Sequence, residues 1–168
     1  MHTGKLLNRS ALLDLRADCR QQGRVLVFTN GCFDLLHRGH VEYLQQARAL
    51  GDLLVVGLNE DSAVRQLKGP GRPWVPQEDR AALLCALQDV DVVTLFPETS
   101  VELLVAELLP DVLVKGGDYA LEEVVGRQVV ENAGGQVCVL CHVADRSTRD
   151  LLPTVEAAGR SGSGTLAS

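Results

Sequence analysis

Short apolar segments alternate with amphipathic segments five times along this chain of 168 residues. The apolar segments are rich in Val and Leu, and they fall at residues 24–29, 53–58, 91–96, 111–114 and 136–143. Strands that alternate with helices, and are apolar along most of their length, are typical of a parallel sheet covered on both faces. We therefore predict an α/β fold with a doubly wound, Rossmann-like parallel sheet of five strands.

The ends of the chain complete the predicted organisation. Residues 1–23 have the spacing of an amphipathic lead-in helix, whose leftover apolar residues would allow a homodimer. Residues 24–152 are expected to form one domain, and residues 153–168, which end in a run of Gly, Ser and Ala, a disordered tail. The other helices are predicted at residues 41–50, 59–67, 77–87, 100–109, 121–132 and from 149 onward.

Composition narrows the range of partners. The net charge is −6, which argues against nucleic acid or an anionic membrane as the main partner. The sequence has no signal peptide and no apolar run of membrane-spanning length, and its cysteines are odd in number, so we expect a reduced cytoplasmic protein. Cys138 and Cys141 have CxxC spacing, but they lie in an apolar run without a second pair, and we interpret them as strand residues.

Polar segments follow four of the five predicted strands. They cover residues 29–40, 59–68, 115–119 and 145–148. In open parallel sheets, ligands bind outside the carboxyl ends of the strands. We therefore expect these four segments to meet at one edge of the sheet and to form a site there.

The first of these segments carries His37 and His40, three residues apart at the start of a predicted helix. Two interpretations compete. As metal ligands they would need a third ligand, and no suitable His, Cys or carboxylate is near in sequence. As donors to a phosphate they need only the anion site that a helix N-terminus supplies. The same turn has neither GxGxxG nor GxxxxGK[ST], which disfavours a dinucleotide dehydrogenase and a P-loop kinase.

Residues 31–40 read GCFDLLHRGH, which resembles the GxFDxxHxGH signature of the cytidylyltransferase-like nucleotidyltransferases. Residues 146–148 resemble the second signature of that superfamily, an RxxxIST-type turn before a late helix. The segments at residues 68–73 and 113–119 look like the adenylyltransferase domain of ADP-heptose synthases. The resemblance implies transfer of AMP from ATP to D-glycero-β-D-manno-heptose 1-phosphate, with pyrophosphate leaving and Mg²⁺ on the ATP phosphates.

The resemblance also implies roles for individual residues. The residues expected to act on the phosphates during transfer are His37, His40 and Lys68. Those expected to bind the nucleotide are Thr29, Asn30, Gly31, Phe33, Gly39, Asp118, Arg146, Ser147 and Thr148. Those expected to bind the sugar phosphate are Asp34, Arg80 and Lys115. Asp34 could instead fix the turn and Arg80 could form an ion pair along its helix, and no metal-binding side chain is predicted.

Two other functions stay open at this point. One is a cytidylyltransferase that acts on glycerol 3-phosphate or a related alcohol phosphate. The other is a nucleotide-binding regulatory module without turnover, which the presence of His37, His40, Lys68 and Ser147 disfavours. Arg149 and Pro153 depart from the family pattern near the second signature. The sequence shows no sugar-kinase domain, so we expect a separate enzyme to make the heptose 1-phosphate.

Overall fold

The computed structural model describes residues 4–117 and 120–140. These residues contain one sheet whose strands run in the order β3-β2-β1-β4-β5, and every neighbouring pair is parallel. The strands are β1 (Leu26–Gly31), β2 (Leu53–Asn59), β3 (Val92–Phe96), β4 (Val112–Gly116) and β5 (Gln136–Leu140). The prediction of a five-stranded, parallel, doubly wound sheet is confirmed.

Helices cover both faces of the sheet. They are α1 (Arg9–Gln21), α2 (Arg38–Arg48), α3 (Asp61–Lys68), α4 (Gln77–Ala86), α5 (Glu102–Leu108) and α6 (Arg127–Asn132). Side chains alternate across β1, so that Leu26 and Phe28 belong to one hydrophobic core and Val27 to another. Helices α1, α5 and α6 contribute to the first core, and α2 and α4 to the second.

The N-terminal segment differs from the predicted lead-in helix. Helix α1 starts only at Arg9, because the Asn8 side chain caps it by accepting from the Ala11 N–H at 2.9 Å. Before the cap, the chain pairs with the edge of the sheet: the Val93 N–H donates to the Lys5 carbonyl and the Leu7 N–H to the Val93 carbonyl. The sequence pattern hides this pairing, since it involves one isolated bridge.

The apolar residues of α1 are used within the chain. Leu12 and Cys19 are buried, and Leu13 and Leu15 pack against the same core. Part of the apolar face on which the expectation of a homodimer was based is therefore used within the chain, and the homodimer stays a prediction.

The helix predicted at residues 121–132 is interrupted. A 3₁₀ turn covers Leu121–Glu123, and α6 begins after Gly126, whose φ of 87° lies in the left-handed region. A Cβ at Gly126 would lie 2.7 Å from the Val105 side chain, so close packing also requires glycine there. Strand β5 is described to Leu140; the rest of its predicted span, the late helix and the tail at residues 153–168 lie outside the described residues.

The strand order sets the place of the site. The chain passes from β1 through β2 to β3 on one side, then returns to place β4 and β5 on the other side of β1. The ends of β1 and β4 are therefore next to each other, at the point where the winding direction changes. Such a switch point opens a crevice outside the carboxyl ends of the strands.

Candidate active site

A cavity of about 490 Å³ lies at this switch point. Its volume is in the range of small-molecule sites. The strand ends supply Asn30 and Gly31 from β1, Asn59 from β2, and Lys115 and Gly116 from β4. The other residues that line it are Cys32, Phe33, Asp34, His40, Tyr43, Leu67, Lys68, Thr99, Ser100, Val101, Leu113, Glu123, Val124 and Val125.

The two signature histidines stand together at the start of α2. His37 is the N-cap residue with extended backbone, and its ring centroid lies 3.9 Å from that of His40. The Nδ1 atom of His40 accepts from the His37 backbone N–H at 3.4 Å. A ring nitrogen that accepts is unprotonated, so in neutral His40 the ring proton is on Nε2. His40 lines the cavity, where this donor and the positive end of the α2 helix dipole favour an anion.

Phe33 supports the histidines from a strained backbone position. Its φ is 43°, in the left-handed region that a bulky side chain rarely adopts. Its ring lies 5.3 Å from the His40 ring, and it passes so close to Gly31 that a Cβ there would be 3.0 Å from the Phe33 ring. The turn therefore holds the aromatic ring against His40, and Gly31 leaves room for it.

Two lysines reach the cavity from opposite sides. Lys68 is the last residue of α3 and is exposed. Lys115 lies on β4, and its Nζ donates to the Asn30 Oδ1 at 3.4 Å. Burial lowers the pKa of Lys115, because removal from water disfavours the ammonium form. The two lysines bring positive groups to the wall of the cavity, which the carboxyl side chains of Asp34 and Glu123 also line.

Thr29 takes a structural place instead of lining the cavity. Its hydroxyl is fully buried and lies 2.6 Å from the Tyr43 hydroxyl, which also donates to the Val114 carbonyl at 3.3 Å. Burial raises the pKa of Tyr43 to about 12. A Cβ at Gly116 would lie 2.8 Å from the Tyr43 ring, so this glycine lets α2 pack against β4.

The side chains of Asp34 and Arg80 are both engaged by other parts of the protein. Arg80 is fully buried on α4, and its guanidinium donates to three backbone carbonyls and to the Asp61 carboxylate. The structure does not bring Arg80 to the cavity, because those acceptors hold it beneath the turn. Asp34 borders the cavity, but its carboxylate accepts from the N–H groups of Trp74 and Val75. Of the two alternatives for Asp34, the geometry supports the fixing of the turn.

Two parts of the cavity wall were not predicted. Thr99 and Ser100 follow β3, and Glu123 to Val125 lie at the end of the 3₁₀ turn and directly after it. Residues 97–100 offered a usable signal, because they directly follow the third strand as the four predicted segments follow theirs. The second part had none, since residues 121–132 read as one regular helix.

Asp118, Arg146, Ser147, Thr148 and Cys141 lie outside the described residues. Gly39 is the second residue of α2, next to His40. Cys138 is a free, half-buried thiol on β5, as expected for a strand cysteine.

Within residues 4–117 and 120–140, no group of three or more His, Cys, Asp or Glu side chains is arranged to hold a metal ion. None of the helices in that part of the chain combines the length and apolarity that a membrane crossing requires.

A doubly wound parallel sheet, with an HxGH pair at a helix start beside a switch-point cavity, defines a nucleotide-binding α/β protein. The sequence matches the cytidylyltransferase-like family over residues 28–155, and the chain belongs to that family.

The similar proteins agree with this assignment. Bifunctional protein HldE of Geobacter sulfurreducens is 51% identical over 151 residues, which cover 90% of this chain and 31% of that protein. Bifunctional protein HldE of Syntrophotalea carbinolica is 49% identical over 154 residues, or 92% of this chain and 31% of that protein. The chain thus spans less than a third of the length of these relatives.

Solved structures show the same fold. The lipopolysaccharide core biosynthesis protein from Thermoplasma volcanium superposes with a TM-score of 0.60 at 31% identity, over 74% of this chain and all of that one. Pantoate-beta-alanine ligase from Francisella tularensis, 16% identical with a TM-score of 0.63, covers 93% of this chain and 77% of its own, and shares the fold alone.

Proposed function

We propose that this chain transfers AMP from ATP to D-glycero-β-D-manno-heptose 1-phosphate, giving ADP-heptose and pyrophosphate. The observation that carries the proposal is the identity of 49% and 51% to the two HldE proteins over nine-tenths of the chain. The histidine pair at the start of α2 and the lysines of the cavity supply the donors that this reaction needs. The chain would then correspond to the adenylyltransferase part of those bifunctional relatives.

The chemistry is a direct displacement. An oxygen of the sugar phosphate attacks the α-phosphorus of ATP, the new O–P bond forms, and the bond to the β-phosphate oxygen breaks as pyrophosphate leaves. No covalent enzyme intermediate is needed, so orientation and stabilisation of charge supply the rate. His40 would donate from Nε2 to the phosphate oxygens as their charge grows, and the first N–H groups of α2 would bind the same anion.

The remaining groups of the cavity would bind and orient. His37 stacks on His40 and keeps its ring in place. Lys68 and Lys115 would bind the phosphates from two sides and so bring two anions together. Asn30, Gly31 and Phe33 would border the nucleotide, and Gly39 would leave room for a phosphate beside the helix. Nucleotide contacts by Asp118, Arg146, Ser147 and Thr148 stay predictions.

Mg²⁺ would enter with ATP as part of the co-substrate. Mg²⁺ keeps several waters and binds largely through substrate phosphates in such sites. The phosphates of ATP would therefore supply most of its ligands, with the lysines and His40 beside them. When bound, the ion would neutralise charge on the triphosphate. The protein donors would then bind the phosphate oxygens that the ion does not contact.

A pyrophosphate-release screen tests the proposal. The purified chain is assayed with ATP or CTP, each in the presence of Mg²⁺, against heptose 1-phosphate, glycerol 3-phosphate and other sugar phosphates. We expect release with ATP and heptose 1-phosphate. Release with CTP and glycerol 3-phosphate would instead show a cytidylyltransferase. Tight ATP binding without release on any acceptor would show a nucleotide-binding module and refute the proposal.

A further inference from the structure

The segment that carries Lys68 is tied at both ends to the turn at residues 32–34. We call residues 59–76 the Lys68 segment: it starts at the end of β2, contains α3 and ends before α4. Two buried polar side chains make the ties, and neither tie involves Lys68 itself. Because the two ties hold the ends of the segment against the turn, they affect where Lys68 lies at the cavity.

Arg80 makes the first tie. It exposes 0% of its surface, and one of its nitrogens donates to the Cys32 carbonyl at 2.5 Å and to the Asn59 carbonyl at 2.9 Å. A second nitrogen donates to the Asp61 carboxylate at 2.6 Å and the third to the Val75 carbonyl at 2.9 Å. One planar guanidinium thus joins the turn to the beginning and to the end of the Lys68 segment.

Asp34 makes the second tie. Its side chain exposes 1% of its surface, and Oδ1 accepts from the N–H groups of Trp74 at 2.7 Å and Val75 at 3.2 Å. Its Oδ2 lies 2.7 Å from the Arg72 guanidinium, a charge contact rather than a well-aligned hydrogen bond. The same guanidinium lies 4.0 Å over the Trp74 ring. Both oxygens of the carboxylate are therefore engaged within the protein.

Between the ties, packing restrains Lys68 only weakly. Within α3 only Ala63 and Val64 are buried, while Leu67 is 50% exposed and Lys68 is exposed. The chain then passes through Gly69 and Gly71, whose φ values are 89° and 86°. Glycine loses more conformational freedom on folding than any other residue. The contacts that fix the Lys68 segment therefore lie before Gly69 and after Gly71, at the two ends of the segment.

We propose that Asp34 and Arg80 are positioning residues that hold Lys68 at the distance from His40 at which it can bind the reacting phosphates. The inference rests on the proposed function, because it assigns Lys68 a phosphate to bind. It gives the two side chains, which the sequence suggested as substrate ligands, a role that acts through Lys68 instead.

A double-mutant cycle tests the proposal through kinetics. Asp34→Asn keeps the size of the side chain but removes the charge that pairs with Arg72. We expect it to lower kcat/KM on the order of 10²-fold, the usual cost of a small misplacement. Lys68→Met should lower kcat/KM at least as much. The double variant should be no slower than Lys68→Met alone, because the effect of Asp34 passes through Lys68. Reductions that multiply would show that Asp34 acts independently and would overturn the proposal.

A second measurement needs no turnover. Trp74 is the only tryptophan of the chain, so its fluorescence reports on this tie directly. We expect Asp34→Asn to change the Trp74 emission and to speed hydrogen exchange at the amides of Trp74 and Val75. Emission and exchange identical to those of the wild type would overturn the proposal. Because these readouts do not depend on catalysis, they separate its failure from failure of the proposed reaction.

Arg80→Lys extends the test to the buried guanidinium. The expected result is a loss in kcat/KM that, like that of Asp34→Asn, does not add to the loss from Lys68→Met. The matched control is Arg16→Lys, which also shortens a buried arginine, and which we expect to leave kcat/KM within about twofold of the wild type and the Trp74 emission unchanged. If Arg80→Lys does not fold, the Asp34→Asn cycle decides the question alone. An additive loss from a folded Arg80→Lys would overturn the role of Arg80.

Discussion

Among the described residues, one buried arginine lies where the amino ends of the strands meet (the amino-end edge) and another where their carboxyl ends meet (the carboxyl-end edge). The two arginines differ in what they join. At the amino-end edge, Arg16 donates to the Leu108 and Leu109 carbonyls and forms a bidentate pair with Asp111 at 2.7 and 2.8 Å. Asp111 in turn accepts from the Leu26 N–H at 2.8 Å. This network fastens α1 and the end of α5 to the starts of β1 and β4.

At the carboxyl-end edge, Arg80 joins the turn after β1 to the end of β2, the start of α3 and the loop before α4. It donates to carbonyls at Cys32, Asn59 and Val75, and it pairs with the Asp61 carboxylate at the start of α3. These segments border the cavity with the histidine pair and Lys68. A buried guanidinium that donates to carbonyls thus serves packing at the amino-end edge and the geometry of the site at the carboxyl-end edge. Substitutions at the two edges should therefore separate stability from activity.

The largest expected effect is that of His40→Ala at the carboxyl-end edge. Loss of a donor that acts on developing charge lowers kcat on the order of 10²–10³-fold, with a much smaller change in ATP affinity. Steady-state kinetics and ATP titration of the same protein check this. An equal loss in both quantities would mean that His40 only binds ATP in the ground state.

Next in size is the contrast between Arg80→Lys and Arg16→Lys. Each change leaves buried carbonyls without a donor, so each should lower the free energy of unfolding by about 1–3 kcal/mol. Only Arg80→Lys should also lower kcat/KM when both proteins are assayed below their unfolding temperatures. Denaturant unfolding and kinetics on the two variants provide the measurement. If Arg16→Lys lost as much kcat/KM as Arg80→Lys, the contrast between the edges would be wrong.

A smaller effect concerns Lys115 and pH. Its lowered pKa means that it loses its proton at a lower pH than an ordinary lysine, and the attraction for phosphate is lost with it. We expect kcat/KM to fall as the pH rises through this lowered pKa. Lys115→Arg stays charged, so its alkaline limb should move to higher pH. The control is Lys5→Arg at the β3 edge, which should keep the wild-type profile. Coincident limbs for wild type and Lys115→Arg would exclude this role.

The smallest effect is expected at Asp111 on the amino-end edge. Burial alone would raise its pKa, but the hydrogen bonds from Arg16 and the Leu26 N–H outweigh burial and lower it. The unfolded chain therefore takes up the proton first. The stabilising contribution is complete above the ordinary aspartate pKa of about 4 and is lost as the pH falls through the lowered value. Asp111→Asn should flatten this acid limb in unfolding experiments, and an unchanged limb would assign it to other carboxylates.

Much of the fold could be predicted from the sequence, because local patterns dictate it. Buried parallel strands read as apolar runs, and the first four runs match the observed strands to within about two residues, while the fifth starts at the observed residue, Gln136. The histidines could be placed at a helix start because the apolar spacing of α2 begins beside them. What local patterns cannot show is a break such as Gly126, where the conformation and the contact with Val105 come from the tertiary fold.

The site was predicted less completely, for a related reason. A motif shows which residues share a segment, but the acceptors of Arg80 lie 5 to 48 positions away along the chain. Thr29 likewise reads as a strand-end residue, yet its hydroxyl pairs with Tyr43 from another element. Residues such as Asn30, His40 and Lys115, which lie at strand ends or a helix start, were found because their place follows from topology alone.

The most direct test of the proposed function follows the atoms of the transferred group. Heptose 1-phosphate with ¹⁸O in its phosphate is incubated with the chain, ATP and Mg²⁺, and the products are analysed by mass spectrometry. We predict that all of the label appears in ADP-heptose and none in pyrophosphate, because the sugar phosphate attacks the α-phosphorus and keeps its own oxygens. Label in the released pyrophosphate, or the absence of any ADP-heptose, would contradict the account.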